Sequence, residues 1–401
     1  MRTPMIAALC TMVLAAACGD PSSNSVTAPE SQSAVAATSD ERLARRSWSG
    51  SSTVLWTRLS LGFFFNRPAG PPPNSGRVGT YLALAQYRAA LAADAAGKGL
   101  PQAERPSLAG AVSGASVVVL ESLYPQYAEA IDAELAAQRA APPGTVASGG
   151  DWRRDFAAGE AIGRSVGAAV LAQAATDNVG VAPLPTPLVG PGYWVSSGAP
   201  TVKGYFGARP FFLATNTEIN APPPPAFGSP EYLAALAGVR AYATGRTPEQ
   251  VAITTKWVPF SDPLFNREAV DLLERYHVDD LESARILAYA NAASFDALIG
   301  CFETKFVYWY VRPTQADPTI TLATGLPNHP SYPSAHSCSA GAFESVLADA
   351  FPQEREALAA MAEESRLSRE LGGLHYNFDG TAGLTLGRRA GALALERRGL
   401  E

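Results

Sequence analysis

The chain has 401 residues, 47% of them apolar, which is enough for one large domain or two closely packed domains with a sizeable core. Its net charge of −6 is spread without long runs of one sign, so no surface for nucleic acid is indicated. With only four cysteines and four histidines, a cluster that binds a bare metal cation is not expected.

The N-terminus has the features of an export signal. Residues 1–18 contain Arg2, a short apolar run that is too short to span a bilayer, and Cys18 followed by glycine. Residues 14–18 resemble a lipoprotein signal box, so Cys18 is a candidate for lipidation, with ordinary signal-peptidase cleavage nearby as the alternative. We expect an exported protein of the bacterial periplasm or cell envelope, held at a membrane only through this anchor.

Residues 19–46 are rich in Ser, Ala, Thr and Pro and contain few large apolar groups, which predicts a disordered tether. Beyond them, helical periodicity predicts an all-α bundle with an N-terminal helical region at 47–275 and a C-terminal one at 276–401. The predicted helices are residues 78–97, 106–139, 151–177, 229–244, 264–275, 281–310, 340–350, 352–370 and 381–398.

A long Pro/Gly-rich connection, residues 182–200, carries Tyr193 and Trp194. Loops of this length are usually functional or mobile. We expect this one to be ordered and to wrap over the helical core, and an inert surface crossover remains the alternative.

Three segments near the C-terminus carry the candidate site. Lys305 and Arg312 are seven residues apart in a segment that is predicted to be helical, so two turns would place both cations on one face. Phe306 and Trp309 lie between them, which indicates a largely buried helix. Charges in such a helix require a partner, and an anion would provide it.

The second segment, residues 333–336, precedes an apolar stretch with helical spacing. We therefore predict that Ser334 lies at the start of a helix, before Ala335 and His336. Unpaired backbone N–H groups at such a start, together with the hydroxyl of Ser334, favour anion binding.

In the third segment, Arg369 and His375 flank two glycines, a turn that lets both side chains approach one point. Asp379 follows His375 by four residues. Its carboxylate could accept the Nδ1 proton of His375 and leave Nε2 as a nucleophile or ligand.

Cys301 and Cys338 each lie close in sequence to one of these segments. In an oxidising compartment a disulfide between them is plausible if the segments meet. Two buried free thiols are the alternative, because sequence does not reveal connectivity.

Together these segments resemble the superfamily of type 2 phosphatidic acid phosphatases, bacterial class A acid phosphatases and vanadium-dependent haloperoxidases. Its pattern is K-x6-RP, then PSGH, then SR-x3-G-x-H-x3-D, and every position is present except one glycine, which is Ala335 here. Residues 191–194, 246–250 and 284–313 are similar to the soluble bacterial haloperoxidases, whose likeness extends over most of the chain after about residue 75.

The resemblance implies vanadate bonded to Nε2 of His375, with its charge offset by cations and donors and with His336 as general acid and base. The substrates would be hydrogen peroxide and a halide. His329 matches a position where bromide- and iodide-oxidising members carry histidine. The implied oxyanion-binding residues are Lys305, Arg312, Ser334, the amide of Ala335 and Arg369.

Two other functions use the same pocket. A phosphate ester could bind there as substrate of an acid phosphatase, with His375 as nucleophile and His336 as the acid that protonates the leaving alcohol. The chain could also be a non-catalytic lipoprotein that only binds oxyanions. No bilayer-spanning segment is predicted after the N-terminal run, which argues against a membrane-embedded lipid phosphatase. The oligomeric state is left open.

Overall fold

The structure is a computed structural model that describes residues 50–66, 74–141, 151–198 and 204–401. The predicted signal peptide with Cys18 and the predicted tether, residues 19–46, lie outside the described residues. All described residues belong to one compact unit. The predicted division near residue 275 is not tested by this and stays a prediction.

Helices are the main regular structure in the described part of the chain, which contains no β-strand and thus confirms the predicted all-α class. The α-helices are α1 (Ser52–Phe65), α2 (Ser75–Gly97), α3 (Leu108–Leu123), α4 (Ala128–Ala140), α5 (Trp152–Ala174), α6 (Pro230–Gly245), α7 (Pro248–Lys256), α8 (Ser261–Arg275), α9 (Asp280–Tyr308), α10 (Pro313–Ala316), α11 (Ala335–Ala350), α12 (Arg355–Leu371) and α13 (Asn377–Arg397).

Some predicted helix limits were wrong. The single helix expected at 106–139 is divided into α3 and α4, because Pro125 cannot donate a backbone hydrogen bond and Tyr124 before it leaves the helical region with φ −134° and ψ 55°. Helices α1 and α7 were not predicted. In α7, a nine-residue helix, the start is fixed by a capping box between Thr247 and Gln250.

The central helix is α9, which is buried along most of its length and packs against α2, α11 and α13. Two of these neighbours approach each other closely. A Cβ atom at Gly387 of α13 would lie 2.0 Å from the Cys338 carbonyl oxygen of α11, and one at Gly383 would lie 2.7 Å from the Ser334 carbonyl oxygen. Only glycine allows this approach of two helix backbones, which brings the N-termini of α11 and α13 together.

Among the described residues, one segment, Gln102–Leu123, is long and apolar enough to cross a membrane by length and composition alone. It contains α3, which packs against α2 and α5. Glycines again permit close contact, since a Cβ atom at Gly163 of α5 would lie 1.9 Å from the Ala111 carbonyl oxygen. Much of its apolar surface is therefore covered by the chain itself, as in the core helix of a globular domain.

The described part of the long 182–198 connection packs along the chain just after α9. The backbone N–H of Trp194 donates to the Trp309 carbonyl over 2.5 Å, and that of Val311 donates to the Gly192 carbonyl over 3.0 Å. The indole rings of Trp194 and Trp309 also stack. This loop thus supports the segment that leads from α9 to Arg312.

A second connection, the described loop before α6, is fixed to α9 by a buried carboxylate. Asp296 accepts hydrogen bonds of 2.8, 2.7 and 3.1 Å from the consecutive backbone amides of Phe211, Phe212 and Leu213. Burial raises the pKa of Asp296 to about 7, while the three amide hydrogen bonds act in the opposite direction.

We expect Asp296→Asn to lower the free energy of unfolding by about 2 kcal/mol, because the amide has one oxygen in place of two and its NH2 group would face a backbone donor. Urea unfolding at pH 7 measures this. The matched control is Asp132→Asn on an exposed position of α4, for which no change in the midpoint is expected. Equal midpoints for both variants would contradict the anchoring role.

Candidate active site

The charges of Lys305 and Arg312 in the first segment interact, but not for the predicted reason. Helix α9 ends at Tyr308, where Trp309 adopts a left-handed conformation with φ 47°. Arg312 lies beyond the helix as the residue before α10. The expectation that two helical turns align Lys305 and Arg312 was therefore wrong, because the helix ends between them and Arg312 lies in the segment that follows.

Arg312 is fully buried and joins two histidines. Its Nη1 lies 2.9 Å from Nε2 of His375, and its Nη2 lies 3.0 Å from Nδ1 of His329. The guanidinium also donates to the carbonyls of His329 and Leu374 over 3.0 and 2.9 Å. Burial lowers the pKa of Arg312 to about 10, so it is charged at neutral pH.

His375 and Asp379 form the predicted pair at the start of α13. Nδ1 of His375 lies 2.8 Å from Oδ2 of Asp379. Because arginine only donates, the contact with Arg312 requires a lone pair on Nε2, so Nδ1 carries the proton and donates it to Asp379. Burial, with the nearby positive charges of Arg312 and Lys305, holds the pKa of His375 well below its usual value and keeps the ring neutral.

Asp379 has a second, structural contact. Its Oδ2 accepts from the backbone N–H of Tyr376, the residue before α13, over 3.3 Å. It therefore orients His375 and also caps the helix. Burial raises the pKa of Asp379 to about 6, and the hydrogen bond from Ser331 is the largest opposing effect.

Lys305 is fully buried and holds the loop before α11. Its Nζ donates to the carbonyls of Pro330 and Ser331 over 2.9 and 2.8 Å, and to that of Pro333. Burial lowers the pKa of Lys305 to about 8. With its three protons bound to the loop, Lys305 contributes mainly positive charge in this conformation.

The predicted helix start at Ser334 is observed. Helix α11 begins at Ala335, and Ser334 is its N-cap, with a fully buried side chain whose Oγ accepts from the Ser337 amide over 3.5 Å. The Ser334 amide donates to the Asp379 carbonyl over 2.9 Å. The N-terminus of α11 therefore lies directly beside the His375 pair.

His336 and Arg369 both bind carbonyls at the end of α7. Nε2 of His336 donates to the Trp257 carbonyl over 3.0 Å, and Nη2 of Arg369 donates to the Thr254 carbonyl over 3.1 Å. Burial, with the positive charge of Arg369, holds the pKa of His336 well below its usual value. Burial lowers the pKa of Arg369 to about 10. Neither side chain is hydrogen-bonded to His375.

Arg369 is nevertheless joined to His375 through the backbone. Helix α12 ends at Leu371, and Gly373 has φ 78° in the turn that follows. The amides of Leu374 and His375 both donate to the Arg369 carbonyl, over 3.0 and 3.3 Å. The predicted glycine turn therefore places the end of α12 next to the histidine pair.

The two cysteine segments meet, and Cys301 and Cys338 are both buried free thiols. Of the two possibilities left open by the sequence, this is the pair of free thiols. The thiol of Cys301 lies 3.7 Å from the Pro333 carbonyl, which also accepts from Lys305.

Several groups that position the site were not predicted from the sequence. The carbonyls of Thr254 and Trp257 on and after α7 bind Arg369 and His336, and no sequence signal marks a carbonyl for this role. Arg246 donates to the Leu371 carbonyl over 2.5 Å and so supports the turn before His375. Ser331, which donates to Asp379 over 2.5 Å, was also missed.

The electrostatics of the site are unusual for a buried region. Among the described residues, the side-chain hydrogen bonds of Lys305, Arg312 and Arg369 go to carbonyls, two imidazoles and one hydroxyl, and none goes to a carboxylate. Asp379, bound to His375, supplies the nearby negative charge. Buried cations in excess of buried anions favour an anionic ligand.

Comparison with known proteins identifies the fold. No family model matches the chain, and no curated protein is similar to it in sequence. A bacterial vanadium-dependent iodoperoxidase, described as the first of its kind, is similar with a TM-score of 0.67 and 20% identity over 87% of this chain and 95% of its own.

Two structures of bacterial vanadium-dependent chloroperoxidase are also similar, both with 13% identity over 80% of this chain. The apo form has a TM-score of 0.62 over 92% of its own length, and the holo form 0.57 over 90%. At these identities the likeness concerns the fold. The chain has the helical fold of the bacterial vanadium-dependent haloperoxidases.

Proposed function

We propose that this protein is a vanadate-dependent haloperoxidase-like enzyme that oxidises bromide or iodide with hydrogen peroxide. The observation that carries the proposal is the buried group of Lys305, Arg312 and Arg369, none of which binds a carboxylate among the described residues, beside a histidine that presents a lone pair on Nε2. Such a site favours an anion, and His375 could bond to its central atom.

The residues around His375 fit a bound vanadate. Nε2 of His375 would hold it, Arg312 and Arg369 would donate to its oxygens, and Ser334 and the amide of Ala335 would do so from the start of α11. Lys305, which is hydrogen-bonded to the loop before α11, would offset the negative charge of vanadate without donating to it. As the resemblance implies, vanadate supplies a Lewis acid that activates hydrogen peroxide without a change in its own oxidation state.

His336 is the proposed general acid and base. Its Nε2 carries the proton that is donated to the Trp257 carbonyl, and its lowered pKa keeps the ring neutral. Nδ1 therefore has a lone pair. A neutral imidazole that is half-buried beside the site could take a proton from hydrogen peroxide and deliver it to the oxygen that leaves as water.

The preference for bromide or iodide rests on His329. This side chain is buried, contacts Arg312 and packs edge to face against Phe302. The similar structure with 20% identity is an iodoperoxidase, whereas those with 13% identity are chloroperoxidases. We also propose export and a lipid anchor at Cys18, for which the N-terminal sequence is the support.

The test is a pair of assays on apo protein with and without orthovanadate. We expect peroxide-dependent bromination that appears only after vanadate is added, and faster turnover with iodide or bromide than with chloride. Phosphate-ester hydrolysis that vanadate inhibits would replace this proposal with the acid phosphatase. Vanadate binding with neither activity would indicate a non-catalytic oxyanion-binding protein.

A further inference from the structure

Ser331 occupies a central position in the site that no motif indicates. It is fully buried, and each of its polar groups is bonded. Its amide donates to the Tyr310 carbonyl over 2.9 Å, its carbonyl accepts from Nζ of Lys305 over 2.8 Å, and its Oγ donates to Oδ2 of Asp379 over 2.5 Å. Ser331 therefore joins the buried lysine to the carboxylate that holds His375.

The carboxylate of Asp379 is bonded on one side only. Its Oδ2 receives the hydroxyl of Ser331, Nδ1 of His375 and the amide of Tyr376 over 2.5, 2.8 and 3.3 Å. Its Oδ1 is buried and has no hydrogen-bond partner among the described residues. The terminal torsion of a carboxylate has only a broad twofold preference, so the donors fix where Oδ2 lies. Ser331 makes the shortest of these three bonds.

We propose that Ser331 is a positioning residue that acts through Asp379 to hold the His375 ring, so that Nε2 keeps the lone pair that accepts from Arg312 here and would bond to a bound oxyanion. This inference rests on the proposed function, because the direction of Nε2 matters only if an oxyanion binds there. Without the hydroxyl, the carboxylate can turn and share the Nδ1 proton between its two oxygens. The imidazole then has freedom to tilt or to move its proton to Nε2.

The first test is the affinity of the full apo protein for orthovanadate, measured by isothermal titration calorimetry. Loss of the groups that orient a ligand histidine usually weakens metal binding about 10- to 100-fold, and we expect a loss of vanadate affinity in that range for Ser331→Ala. The matched control is Ser337→Ala on α11, an equally buried serine whose hydroxyl has no hydrogen-bond partner among the described residues. It should bind vanadate like the wild type, and equal affinity of all three proteins would overturn the inference.

A double-mutant cycle with Asp379→Ala, which removes the acceptor of the Ser331 hydroxyl, shows whether Ser331 acts through this carboxylate. If it does, adding Ser331→Ala to Asp379→Ala should weaken vanadate binding by less than about twofold, because the partner is already lost. Full additivity of the two losses would overturn the positioning role. If Ser331→Ala does not fold, Ser331→Cys carries the same prediction, since a thiol is similar in size but a weak donor.

A spectroscopic readout separates this inference from the proposed function. The chain has four histidines, so ¹⁵N shifts of labelled imidazoles can be assigned with His375→Gln as reference. In apo wild type we expect His375 in the Nδ1–H form alone, and in Ser331→Ala a mixture of the two neutral forms. An unchanged spectrum in Ser331→Ala would overturn the inference. A wild type that does not bind vanadate would overturn the proposed function, and the spectrum would still test the positioning role of Ser331.

Discussion

We expect His375→Ala to abolish vanadate-dependent bromination, with a loss of more than about 1,000-fold, because it removes the only atom proposed to bond to vanadate. Loss of one donor to a developing charge already costs about 100- to 1,000-fold in other enzymes, and here Arg312 also loses its partner at Nε2. The measurement is the initial rate of dye bromination by protein that has been dialysed with excess orthovanadate.

The matched control is His277→Asn, at an exposed histidine after α8 that lies outside the site. Asparagine is chosen because His277 has φ 53°, a conformation that asparagine tolerates better than alanine. Its bromination rate should equal that of the wild type. A His375→Ala protein that still brominates at more than about a tenth of the wild-type rate would contradict a role of His375 as vanadate ligand.

Among the variants proposed here, replacement of Lys305 should lower the stability most. We expect Lys305→Met to lower the free energy of unfolding by about 3 kcal/mol at pH 7, since three buried carbonyls of the loop before α11 lose a charged donor. Relief from burying an ammonium group offsets part of the loss. Urea unfolding of the apo protein gives the difference, and its vanadate affinity should fall as well.

The difference in the free energy of unfolding between the wild type and Lys305→Met should depend on pH in a defined direction. Folding lowers the pKa of Lys305 from 10.5 to about 8, so between those values the unfolded chain binds more protons than the folded chain. The contribution of Lys305 to the free energy of unfolding therefore rises with pH over that interval. The destabilisation caused by Lys305→Met should be larger at pH 10 than at pH 7, and a smaller one would contradict the lowered pKa.

Lys256→Met provides the control, because this exposed lysine forms a surface ion pair with Glu364. Such pairs contribute at most about 1 kcal/mol, so this variant should be nearly as stable as the wild type. A Lys305→Met protein as stable as Lys256→Met would mean that the loop carbonyls do not depend on the buried ammonium.

Local signals predicted the parts of the site that depend on neighbours in sequence. The helix start at Ser334 followed from the apolar stretch with helical spacing after it, and the pairing of His375 with Asp379 followed from a spacing of four residues. Both were observed, because the interactions involved extend over one helical turn.

Local sequence patterns did not predict the site where the backbone leaves a regular helix. Lys305 and Arg312 were expected on one helix face, but Trp309 ends α9 in a left-handed conformation that periodicity does not reveal. The position of Trp309 is fixed by Trp194, more than a hundred residues away in sequence. Long-range contacts of this kind override helical propensity.

The sequence by itself determined which chemical groups are present: the three cations, the two histidines of the pattern, the helical class and the local pairing at the start of α13. Only the tertiary structure decided that Arg312 bonds both His329 and His375, that α7 supplies carbonyls to His336 and Arg369, and that Ser331 joins Lys305 to Asp379. The physical reason is that backbone carbonyls and single hydroxyls carry no side-chain pattern. Their role arises only when close helix packing brings distant segments within hydrogen-bond distance.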